Sequence, residues 1–189
     1  MDPNRSRSRS ILSAAVPLLI VAAVLLGSAL PAGALTPPTV PAAIQVPAGN
    51  TLFLVGHATG YQIYQCTDTG TGFAWVLWAP RAVLTDDAGN VIIEHYAGPT
   101  WRANDGSTVV GARVGSAPAP GGAAIPWLLL KAVSTTAGPS GGTTLTQTTY
   151  IQRINTTGGL APTTGCDATH AGAFAPVRYT ADYYFYKKA

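Results

Sequence analysis

The densest group of side chains able to do chemistry lies between Glu94 and Ser107. Glu94, His95, Trp101, Arg102, Asn104, Asp105 and Ser107 fall within fourteen residues. An imidazole can act as a general base or ligand, a carboxylate can orient it, and a serine hydroxyl can supply a nucleophile. His95, Asp105 and Ser107 are therefore the candidate catalytic residues. An indole offers a flat apolar face to a sugar ring, so Trp101, with His95, Arg102 and Asn104 beside it, forms the candidate binding set. Strand geometry sends successive side chains to opposite faces, so Glu94 and His95 cannot both serve one surface. The structural alternative is simpler. Asp105-Gly106 makes a turn, Trp101 fills a core and His95 is a hydrogen-bonded sheet residue.

Other chemistries find less support. A metal site would have to assemble His57, His95, His170 and Asp167 from distant parts of the chain, because no HxH or HExxH spacing is present. No metal and no cofactor is expected. No GxSxG elbow marks a nucleophilic serine, and neither Gly106-Ser107 nor Pro139-Ser140-Gly141 fits one. The acids beyond the first segment are Glu94 and six aspartates, several of them in turn-like contexts, which does not suggest a glycosidase pair. Asn155-Thr156-Thr157 matches a glycosylation sequon and reads as an exposed turn.

The elements that must position these groups follow an address at the N-terminus. Arg5, Arg7 and Arg9 precede an uncharged apolar run, Ile11 to Leu26, and the small residues Ala32-Gly33-Ala34 follow it. This pattern predicts a Sec-type secretory signal peptide over residues 1–34, cleaved after Ala34, and hence a secreted product without a transmembrane anchor. Removing it leaves 155 residues, one domain's worth, with eight basic and seven acidic side chains. A net charge of +1 without a basic stripe argues against a nucleic-acid partner. Cys66 and Cys166 are the only cysteines. In an oxidising compartment they are expected to pair.

Residues 35–47 carry Pro37, Pro38, Pro41 and Pro47 and predict an extended lead-in, either a linker or an arm. Residues 48–189 then read as a single domain of about eight short β-runs: 51–57, 61–66, 73–78, 91–96, 108–114, 127–133, 145–154 and 177–186. Turn formers separate them at Asp68-Thr69-Gly70, Asp87-Ala88-Gly89-Asn90, Asn104-Asp105-Gly106 and Thr157-Gly158-Gly159. Ser116 to Ala124 and Ser134 to Gly142 read as flexible surface loops. No segment of ten residues carries a helical period. The expected fold is all-β, an antiparallel sandwich or a partly closed barrel with one disulfide.

Several phrases in one order also resemble a known family. They are Gly60-Tyr61-Gln62-Ile63-Tyr64-Gln65-Cys66, His95-Tyr96-Ala97-Gly98-Pro99-Thr100-Trp101, Asp105-Gly106-Ser107, Ile125-Pro126-Trp127-Leu128-Leu129, Ile151-Gln152-Arg153 and Tyr179 through Tyr186. Together they are similar to the secreted family called domain of unknown function 3455, across nearly all of the chain after Pro41. The resemblance implies export and one domain, and it brings no activity or site residue with it. The expected function is that of an exported, non-catalytic binding module whose ligand lies outside the cell or at the envelope, with carbohydrate among the candidates. The alternatives are a secreted hydrolase or metal-dependent oxidoreductase centred on His95 and Asp105, and a structural envelope protein.

Overall fold

The computed structural model describes residues 35–189; the signal peptide expected over residues 1–34 lies outside them. Eight strands follow one another: β1 Asn50–Asp68, β2 Phe73–Thr85, β3 Val91–Tyr96, β4 Thr100–Ala103, β5 Thr108–Ala117, β6 Trp127–Thr136, β7 Thr148–Gly158 and β8 Phe174–Lys188. Each pairs antiparallel with the next, and β8 returns to pair with β1 from Asn50↔Lys188 to Gln65↔Phe174. The single sheet thus closes into an irregular up-and-down ring, the barrel form of the two expected. Closure leaves no strand with a free edge along its paired length, which is how an all-β chain avoids edge-to-edge association.

Two of the expected runs, 51–57 and 61–66, are one strand. Gly60 between them does not turn the chain. A Cβ there would lie 2.2 Å from the Arg81 carbonyl oxygen and 2.5 Å from the Ala82 Cα, so its hydrogen allows β2 to cross closely. The count of eight is restored by β4, too short for the sequence pattern to reveal, which follows a turn holding Gly98 at φ 84°. Asn104-Asp105-Gly106 makes the expected hairpin, with Gly106 at φ 80°. Asn155 was expected in a turn and instead lies within β7, at a register break where its own φ is 50°.

Alternation along the strands gives two cores. Inside the ring, Leu84, Ile93, Trp101, Ile151, Tyr183 and Phe185 pack with other buried apolar groups. Each fully buried large side chain contributes about 1.5–3 kcal/mol. A second cluster lies on the outer face, where Ala117, Leu129 and Ile154 are covered by the proline-rich lead-in. That segment makes a short 3-10 turn, Ala42–Ile44, and plants Ile44 at 0 % exposure against the sheet. Gln152 Nε2 donates to the Ile44 carbonyl at 2.8 Å, and a Cβ on Gly115 would lie 2.2 Å from the Ala43 oxygen. The lead-in thus carries a 3-10 turn and is packed against the sheet as a strap.

Cys66 and Cys166 are bonded, with their Cα atoms 5.3 Å apart across 100 residues of sequence. The bridge fastens loop 159–173 to the end of β1, reinforced by Gly172 N donating to the Cys66 carbonyl at 2.8 Å. Among the described residues no helix is long and apolar enough to cross a membrane.

Candidate functional site

The cluster expected between Glu94 and Ser107 separates by strand parity. His95 and Trp101 are cross-strand partners on β3 and β4 and both point into the ring. Their rings stack with centroids 4.3 Å apart and 8° between planes. His95 Nδ1 lies 2.9 Å from the Thr100 carbonyl oxygen, which it can reach only as the protonated ring nitrogen. Burial holds the imidazole neutral by lowering its pKa to about 4. Trp101, 1 % exposed, stacks on His95 and meets Tyr183 and Phe185 in T-shaped contacts. Neither ring face is open to a ligand.

Asp105 and Ser107 sit at the hairpin instead. The Asp105 carboxylate accepts from Ser107 N and Oγ at 3.0 and 2.6 Å, and from Thr144 N and Oγ at 2.9 and 2.8 Å. These donors, the Ser107 hydroxyl first, hold its carboxyl well below the usual carboxylate range. Ser107 Oγ in turn accepts from Leu145 N at 3.1 Å. Asn104 Nδ2 donates to the Val91 carbonyl at 2.6 Å. Asp105, Ser107 and Asn104 thus tie the β4–β5 hairpin to its neighbours, and the chain that follows the flexible loop expected over Ser134 to Gly142 is fastened to Asp105 through Thr144.

The remaining histidines lie apart from His95. His57 is on the outer face of β1, with Nδ1 2.7 Å from Asp182 and Nε2 2.9 Å from Asp87. His170 contacts Asp167 at 2.8 Å within an exposed 3-10 turn that Asp167 itself caps. Among the described residues no group of three or more His, Cys, Asp or Glu side chains is placed to hold a metal.

Of the expected binding residues, Arg102 faces outward into a groove. On the outer sheet surface it pairs with Glu94 at 2.6 Å, and Glu94 stands beside Val83, as Tyr61 stands beside Arg81. These side chains line an open groove of about 700 Å³, together with Trp78 and Tyr96. Trp78 is 59 % exposed and packs edge-on against Phe174, with centroids 5.3 Å apart. The register explains its exposure. Ile63 pairs with Ala79 and Tyr64 with Leu77, so Trp78 is the extra residue of a β-bulge, re-aimed outward.

Sequence reasoning passed over Trp78, Tyr61, Arg81 and Tyr96. Tyr61 and Ile63 alternate with Gln62, but Gln62 is the one buried in the ring and Tyr61 the one exposed, the reverse of what their polarity suggests. The bulge that exposes Trp78 depends on the pairing of β2 with β1 and leaves no local signal. Comparison with curated proteins and with solved structures gives no match. Residues 47–187 match a family model described as protein of unknown function (DUF3455).

Proposed function

Since the chain belongs to the DUF3455 family, whose description assigns no activity, its own surface has to supply the reading, and we propose an exported, non-catalytic carbohydrate-binding module. The outer groove of β1 to β4 carries this reading. It is within the size range of ligand clefts, and it combines exposed aromatic rings with a few polar groups. Trp78, Tyr61 and Tyr96 offer faces to the apolar side of sugar rings. Arg81 and the Glu94–Arg102 pair offer donors and acceptors for hydroxyl groups. Export is supported by the charged, apolar and small-residue order of residues 1–34 and by the disulfide, which is characteristic of oxidising compartments. An enzyme centred on His95 and Asp105 gains no support, because one is packed in the ring and the other is saturated by turn donors.

The test is affinity electrophoresis of residues 35–189 through gels containing soluble wall polysaccharides. Retardation of the wild type is expected, with Trp78→Ala losing at least tenfold in affinity while keeping its circular dichroism spectrum. Migration unaffected by every polysaccharide, or equal retardation of Trp78→Ala, would sink the carbohydrate assignment.

A further inference from the structure

The ring interior contains a charge without a counter-charge. On β7, Ile151 points inward and Gln152 outward beneath the strap, so Arg153 points inward again, beside its cross-strand partners Tyr183 and Leu128. Among the described residues no carboxylate comes within ion-pair range of it. Its Nη2 donates to the Pro126 carbonyl at 2.8 Å, whereas its buried Nε has no partner. A second orphan lies on β1. Gln62 is 2 % exposed, and its Nε2 also has no partner.

The two are drawn to the same end of the ring by Gly159. A Cβ on Gly159 would come within 2.9 Å of Tyr179 Cβ, 3.0 Å of Ile125 Cγ2 and 3.3 Å of Gln62 Cγ. Tyr64 donates its hydroxyl to the Gly159 carbonyl at 2.6 Å, and Pro126, which holds Arg153, follows Ile125 directly. The surroundings are phenols and a neutral imidazole. Tyr64, Tyr179, Tyr183 and His95 all feel the Arg153 charge, and none carries a negative one at neutral pH.

We propose that this end of the ring is a small-carboxylate site, in which the Arg153 guanidinium and the Gln62 amide bind one anionic ligand. A water molecule would satisfy the orphan donors but not the charge. A carboxylate does both, and the planar guanidinium fork matches its geometry. Arg153 is only half-buried, which gives the ligand a route from solvent. This site is on the opposite face of the sheet from the carbohydrate groove and stands or falls independently of it.

The experiment is thermal denaturation of residues 35–189 titrated with sodium acetate, against sodium chloride at matched ionic strength. A saturable rise in Tm with acetate and a smaller or absent rise with chloride are expected. Arg153→Met should abolish the acetate response while leaving the acetate-free Tm close to that of the wild type, because the half-buried guanidinium has no ion pair to lose and Met keeps most of the apolar stem. Gln62→Met should raise the half-saturating acetate concentration several-fold, and it carries the test if Arg153→Met fails to fold. Equal responses to the two salts, an unaltered response in Arg153→Met, or an unchanged half-saturation in Gln62→Met would each overturn the assignment.

Discussion

The two non-loop histidines respond to acid in opposite senses, because their surroundings differ. His57 is held between Asp182 and Asp87, and hydrogen bonds to these carboxylates, Asp182 first, raise its pKa above 6.5. The protonated ring donates to both acids, whereas the neutral ring can donate to only one. This stabilisation is fully present below the unfolded value of about 6.5 and is lost as pH rises through the higher folded value. His95 is the reverse case. Burial lowers its pKa to about 4, so the unfolded chain takes up a proton between about pH 6.5 and 4 that the folded chain refuses. Folding should weaken by up to about 3 kcal/mol across that interval. Urea unfolding as a function of pH should therefore lose its decline just above pH 6.5 in His57→Ala and most of its decline between about pH 6.5 and 4 in His95→Phe. A wild-type profile left unchanged by both variants would show that neither group is linked to folding. The candidate site was only partly legible at this scale for a related reason. Trp78 ends an expected β-run and Trp101 lies outside every one, yet the inward turn of β4 makes Trp101 core and the bulge of β2 makes Trp78 surface.

At the scale of elements, composition and turn residues disclosed much, and packing disclosed the rest. The Asn-Asp-Gly hairpin and the all-β character follow from local chemistry, which is why they could be read directly. The four residues of β4 and the continuity of β1 through Gly60 depend on neighbouring strands, and no local pattern encodes them. The proline-rich strap is the clearest instance. Its extended stretches are written in its prolines, while its seat is created by Ala117, Leu129 and Ile154 on three separate strands. Ile44→Ala should cost about 3 kcal/mol, the range for emptying a large buried aliphatic site, measured by urea denaturation. A loss below about 0.5 kcal/mol, usual for exposed positions, would mean the strap is not seated in solution. The disulfide acts on another element, loop 159–173. Replacing Cys66 and Cys166 by alanine should lower stability by about 2–5 kcal/mol, because a bridge across 100 residues strongly restricts the unfolded chain. The same loss should appear on adding reductant to the wild type, and a reductant-insensitive transition would contradict it.

For the whole molecule, the ring separates two environments that the linear sequence interleaves residue by residue. Its outer surface presents the aromatic groove and the strap, and its interior holds the stacked His95–Trp101 pair and the lone Arg153 charge. Closure itself rests on the longest partnership in the fold, β1 with β8. That pairing joins residues separated by well over a hundred positions, so the search for it is slow and late compared with hairpin zipping. As a ribosome releases the chain from its N-terminal end, β1 emerges with one side served by β2 and the other without its mate until β8 has followed. During that interval a strand of 19 residues presents its amides and carbonyls to any comparable edge nearby. A chain shortened before Phe174 never closes that edge and is left as a permanent template for aggregation.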